Sequence, residues 1–314
     1  MQTRNNLLYG LLAIIIAVTV LVQQLNLLPP YISDMVTRSL PVVLVIIGLS
    51  VLLRNRVPLS AFISLIIGVA LVAGISTTAY SVRQGQTRVE NEITHTEDIG
   101  ERVSLLRVRV QALTTDVEVV RAPSGDERTI SARFIGSTES DVSENYIEGV
   151  DGGATFNITE FRQNPFPMLE AVGRGTLLVE LPPDVPIDVQ VEVDAGELLL
   201  NLTDTQLERL NIDLIEGTAL VTLPDYAPQS STPDETLGTW RVASGGLTVR
   251  VPEDISTRLD MSGGTGGEPD YDPSVYNLLF GGDVLEARNI DTAETVVRYD
   301  LVLQRNRLTV AVVE

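Results

Sequence analysis

The feature that most constrains this chain is a glycine-led apolar run that returns every 21 residues. Gly175-Thr-Leu-Leu-Val-Glu-Leu-Pro182, Gly196-Glu-Leu-Leu-Leu-Asn-Leu-Thr203 and Gly217-Thr-Ala-Leu-Val-Thr-Leu-Pro224 align residue for residue. A second run keeps its own fixed offset. Val189, Val191 and Val193 are followed 21 positions later by Leu210, Ile212 and Leu214. Alternation of period two inside a longer fixed period is what stacked β coils demand, because each coil must lay its inward side chains on those of the next. Helical spacing does not fit these runs. Gly245 opens a further unit, with Leu247, Val249 and Val251 in the expected places, Leu259 and Met261 next in it at the offsets of Val189 and Val191, and seven extra residues absorbed by the loop at 226–238. The loop at 262–273 is a second excursion. Thr295–Leu303 and Leu308–Val313 read as a terminal hairpin that caps the stack. Upstream, 103–110, 116–120, 128–135 and 154–161 carry less regular strand signals. The expectation for 102–314 is a β-solenoid-like domain.

The first eighty residues obey another rule. Three apolar runs, about 7–28, 39–53 and 57–80, read as transmembrane helices. The first is not followed by a small-residue cleavage motif, so it reads as an uncleaved span. The middle run reaches only about 21 Å at 1.5 Å per residue, against a bilayer core of about 30 Å. It spans if Arg38 and Arg54 extend their heads to the interfaces. The polar stretch 81–101 reads as a linker. The fold class is therefore membrane α-helices plus all-β: three N-terminal transmembrane helices followed by stacked coils. Arg4, Arg54 and Arg56 on one side balance Arg38, Arg83 and Arg88 on the other. The N-terminal amine tips orientation toward a cytoplasmic N-terminus and an extracytoplasmic β domain.

Charge is divided just as sharply. The net charge is −20. Residues 1–80 hold four arginines and one acidic residue, leaving 18 arginines and 41 acidic residues in 81–314. An acidic body on an apolar base excludes a nucleic-acid partner, which calls for clustered basic side chains. With no cysteine there is no disulfide framework or thiolate chemistry. The only histidine, His95, falls in the expected linker, so neither a zinc site nor an acid–base pair is visible. No cofactor, metal site or catalytic residue is expected, and the chain does not read as an enzyme. Two sets of residues read as contact candidates. Leu178, Leu199 and Leu220 occupy outward positions of successive units and form an apolar row, covered either by another segment of the chain or by a partner. Trp240, Tyr271 and Tyr276 lie in or beside the loops and are candidate stacking aromatics.

The parts resemble a known combination. Leu25-Asn-Leu-Leu28 followed by Leu40-Pro-Val-Val-Leu-Val-Ile-Ile-Gly-Leu49 resembles the LiaI/LiaF-like transmembrane region, with proline at a helix start and glycine within the helix. Glu101–Val120 together with Gly173–Leu223 resembles the toast-rack or LiaF-type C-terminal β domain, notably in Val179-Glu-Leu-Pro182 and the Ala195-Gly-Glu197 turn. That resemblance implies a non-enzymatic regulator of the bacterial cell-envelope stress response that restrains a membrane histidine kinase. It implies as partners the lipid bilayer and a membrane signalling protein. An adhesin-like module binding an envelope polymer is the alternative that the loops and flank of the stack support.

Overall fold

The computed structural model describes residues 82–83, 85–123, 128–163, 173–229, 235–263, 268–304 and 306–313. The chain divides into two compact units, Met1–Val82 and Arg83–Glu314. The three expected spans lie outside the described residues, among which no helix is long and apolar enough to cross a membrane. The second unit is all-β.

Its regular centre consists of three long bent strands, β8 (Ile187–Asn201), β9 (Leu207–Thr222) and β10 (Thr239–Pro252). They pair in parallel along both limbs. Val189, Val191 and Val193 stand beside Leu210, Ile212 and Leu214, while Leu198 and Leu200 stand beside Ala219 and Val221. Gly196, Gly217 and Gly245 share one corner row. Glycine is required there: Gly217 and Gly245 have φ of +142° and +132°, and a Cβ on either would lie 1.8 or 1.6 Å from the carbonyl oxygen of the glycine before it. Inward side chains from both limbs join one core, where Val189, Leu200, Leu210 and Val221 are fully buried.

Each limb extends into a wall. On the first wall, β3 (Thr115–Arg121) pairs in parallel with the second limb of β8, then with β7 (Gly175–Leu181). Beyond β7 come β4 (Thr129–Gly136) and β1 (Asn91–Asp98), both antiparallel to their neighbours. On the second wall, β2 (Leu105–Ala112) flanks the first limb of β8, followed by β6 (Gly153–Arg162) in parallel and β5 (Ser140–Glu148) antiparallel. Past β10, β14 (Val296–Leu303) continues the second wall and β15 (Arg307–Val313) the first. Then β11 (Ser256–Ser262) pairs with β14, and β13 (Val284–Ala287) and β12 (Tyr276–Leu279) finish that edge.

Four expectations are corrected by this topology. The last two strands are not a hairpin. Trp240 meets Leu301 and Leu247 meets Leu308 at one offset, so β14 and β15 form a further parallel coil with its corner beside Asn306. Asn306 is buried in that corner and its side-chain amide donates to the Val242 carbonyl. The 21-residue units do not stack in simple sequence order either, because β3 inserts between β7 and β8 on the first wall and β2 between β6 and β8 on the second. The inserted coil carries the same alternation, and backbone hydrogen bonding accepts any strand in register. Leu259 and Met261 belong to a coil beyond β14 rather than directly after β10. Finally, the stretch read as a linker contains β1, which pairs over eight residues with β4. Its low apolar content, with Ile93 the one large apolar side chain, hid the strand.

Candidate interaction surfaces

On the outer face of the first wall, one transverse row runs Arg133, Leu178, Glu118, Leu199, Leu220, Thr248, Thr309. Leu199 and Leu220 are neighbours, as the repeat predicts. Leu178 is not next to Leu199: the inserted β3 places Glu118 between them. All three leucines are half-buried. The row is therefore a leucine pair bounded by a carboxylate and a threonine, with Leu178 set apart between Arg133 and Glu118.

The aromatic candidates sit elsewhere. Trp240 is fully buried, its Nε1–H donates to the Leu210 carbonyl at 3.0 Å, and its ring centroid lies 4.4 Å from that of Tyr299. Tyr276 is buried with its hydroxyl 3.1 Å from Thr257 Oγ1, and burial pushes its phenol upward. Tyr271 packs against the core while keeping part of its ring exposed. Two of the three thus serve packing, since Trp240 occupies the inward register of Ile212 and Leu301.

The outer face of the second wall is a polar ladder. Arg109 donates to Gln190, Gln111 to Glu192 at 2.8 Å, and the Thr239 N–H to Asn211 at 3.0 Å. Arg241 and Asp213 approach to 3.6 Å. Gln190, Glu192, Asn211, Asp213, Thr239 and Arg241 border an open groove of about 280 Å³. They answer one another from strand to strand, which makes the ladder a device of the sheet.

A third constellation, at the N-terminal end, was not anticipated. There β1 ends the first wall and β5 ends the second, and the Asn91 side-chain amide donates to the Ser140 carbonyl at 2.9 Å. His95 and Glu97 share the inward register of the core residues Ala132 and Ile130, and Glu144 shares that of Ile158. His95 Nε2 and Glu144 Oε1 are both buried without a hydrogen-bond partner. Burial, and then the charge of Glu97, pushes the Glu144 carboxyl up, while His95 pulls the other way. Nearby, the Tyr146 hydroxyl donates to Glu148 at 2.6 Å and the Gly100 N–H donates to the same oxygen at 2.7 Å, holding the Glu148 carboxyl below its ordinary range. Burial and that carboxylate push the Tyr146 phenol up. The signal in the sequence was only the alternation of Ile93, His95 and Glu97, too polar to distinguish from a linker. No group of three or more His, Asp or Glu among the described residues is arranged to hold a metal ion.

Residues 8–84 match the family model of the LiaF transmembrane domain. The likeness of the Leu25–Leu28 and Leu40–Leu49 stretches to that region is thereby shown, and it places the chain in a membrane. No curated protein matches the chain. Among solved structures, a candidate cell adhesion protein from Clostridium sporogenes ATCC 15579 aligns with a TM-score of 0.58 and 12% identity, covering 71% of this chain and 100% of that one. It shares the β-rich fold, consistent with a toast-rack domain joined to a LiaF-type transmembrane region. A candidate adhesin from Bacteroides fragilis NCTC 9343 aligns at 7% identity over 73% of this chain and 100% of that one; its TM-score of 0.22 carries no argument.

Proposed function

We propose that the chain is a non-enzymatic, multi-pass membrane regulator or scaffold of the cell-envelope stress response. Three helices tether an acidic β-solenoid-like domain that serves as a sensing or partner-binding surface. The observation that carries this reading is the match of residues 8–84 to the LiaF transmembrane domain. The stacked parallel limbs supply a rigid, repetitive surface of the kind solenoids use for binding. The N-terminus is assigned to the cytoplasm, the β domain to the outside, and the partner to the class of membrane signalling proteins.

Photo-crosslinking from positions on the β domain in intact membranes tests the assignment. The expected product joins this chain to a membrane histidine kinase identified by mass spectrometry, with the β domain cleaved by protease added to intact cells. A β domain protected in intact cells but cleaved after lysis overturns the orientation. A second reading, an adhesin-like module for an envelope polymer, draws on the fold shared with a candidate cell adhesion protein. Saturable binding of wall glycan, with no crosslink to a membrane protein, decides for it.

A further inference from the structure

The two ends of the first wall are finished differently. At the C-terminal end the outer edge of β15 is occupied: Asp270 forms a bridge to Thr309, its N–H donating to the Leu308 carbonyl and its carbonyl accepting from Val310. At the N-terminal end, β4 is the only strand partner of β1 among the described residues. Ile99 donates its N–H to the Arg128 carbonyl, and in an antiparallel ladder the bonded residues alternate. Ile93, His95 and Glu97 therefore direct their backbone groups to β4, while those of Thr94 and Thr96 face away from it. Natural sheets ordinarily cover or blunt such an edge.

Beside this edge the inward ionisable groups of β1 and β5 include one base, His95, against two carboxylates. Glu97 on β1 and Glu144 on β5 face the interior of the open end, and Glu144 Oε1 is buried with no donor. The nearby arginines are engaged: Arg133 with Glu92 at 2.7 Å, Arg88 with Glu90 at 2.6 Å, and Arg128 with the carbonyls of Ile99, Gly100 and Val103. A buried acceptor without a donor is costly, and a cation presented from a neighbouring strand relieves it. A second copy of this chain does not meet the requirement, because its own β1 brings Glu92, Glu97 and Asp98 to a molecule of net charge −20.

We infer that the free edge of β1 is a docking site for an extended, basic segment of a partner protein. The segment adds as a further strand, with Lys or Arg side chains at alternate positions reaching Glu97 and the unpartnered oxygen of Glu144. Its backbone pairs with Thr94 and Thr96, which gives affinity, and the inward cations give specificity. This rests on reading the β domain as a partner-binding surface and names where, and by what chemistry, the partner is held.

The test uses the full chain in nanodiscs of neutral phosphatidylcholine. The probe is a fluorescein-labelled, end-capped nonapeptide of alternating valine and lysine, followed by anisotropy. Saturable binding is expected, weakened tenfold or more by the double substitution Glu97→Gln and Glu144→Gln. Thr94→Pro, which removes an outward N–H without touching the bonds to β4, is expected to weaken it as much. A peptide N-methylated along one edge must also lose binding, a result independent of how Thr94→Pro folds. The double substitution Glu253→Gln and Asp254→Asn, two exposed carboxylates in the turn after β10, is expected to leave binding unchanged. Absence of binding overturns the inference, as does equal weakening by both double substitutions or indifference to N-methylation. A dimer abolished by Thr94→Pro overturns it in favour of self-association. If the edge fails these tests while the kinase crosslink forms, the scaffold reading stands and only the docking site falls.

Discussion

The middle of the β domain and its N-terminal end use the same period-two strands but bury different things. Between β8, β9 and β10 the inward positions are almost all apolar and the corners are glycine, and the polar groups buried there are satisfied: the Trp240 Nε1–H donates to the Leu210 carbonyl and the Glu208 carboxylate accepts from the Tyr226 hydroxyl. At the end formed by β1 and β5, inward positions carry His95, Glu97, Glu144 and Tyr146. The middle is built for stability. The end spends some of that stability on unpartnered polar atoms, which is where a protein keeps its capacity to bind something else.

The strongest way to break this contrast is at a corner. Gly217→Ala puts a Cβ 1.8 Å from the Gly196 carbonyl oxygen at a φ that alanine rarely adopts. The loss is expected to exceed about 4 kcal/mol and to abolish cooperative unfolding of the β domain, read by circular dichroism on the purified full chain. Retained melting behaviour would mean that the corners slide freely and the middle is not rigid. Next comes Trp240→Ala, which empties a fully buried site and removes the ring contact with Tyr299. It is expected to cost about 3–5 kcal/mol by chemical denaturation. A cost under about 1 kcal/mol would mark Trp240 as displaced from the core in solution, restoring it as a contact residue.

Leu199→Asp sharpens the contrast between inner and outer faces. Its side chain is half-buried beside Leu220 and Glu118, so a loss of about 1 kcal/mol is expected with folding intact. Collapse on that substitution would show that the leucine pair lies beneath a covering segment. The smallest effect belongs to Glu144→Gln. The folded Glu144 carboxyl is raised above its ordinary value by burial and by Glu97, against the pull of His95, with Tyr146, Glu148 and Arg128 the other ionisable groups at that end. A raised carboxyl contributes stability that is present below the unfolded pKa and lost as pH rises through the folded one. The variant is therefore expected to match the parent in acid and to equal or exceed it at neutral pH. A variant less stable at neutral pH alone would show that the Glu144 charge has a partner after all.

Much of this was legible in the residues. Gly196, Gly217 and Gly245 announced their corner because close backbone approach admits no Cβ, a local requirement that repeats wherever the geometry repeats. The limbs of β8 and β9 followed from strict alternation. The pairing of Leu199 with Leu220 followed from the shared spacing. The sequence also carried the LiaF-type signature at residues 8–84, since a membrane span must be continuously apolar.

Other matters belonged to the tertiary structure alone. That β3 lies between β7 and β8, separating Leu178 from Leu199, is not written in any local pattern. Parallel strands of like alternation are interchangeable to the hydrogen-bond ladder, so their order is chosen by how the whole core packs. The same holds for β14 and β15, whose intervening residues have the composition of a hairpin turn although the two strands continue different walls. It holds as well for the meeting of His95, Glu97 and Glu144, where residues about fifty positions apart face one another only because two different walls end side by side. Residue type and spacing determined which strands form and which faces they bury. The packing of distant coils decided which neighbour each strand took, because that choice depends on side chains the local sequence never contacts.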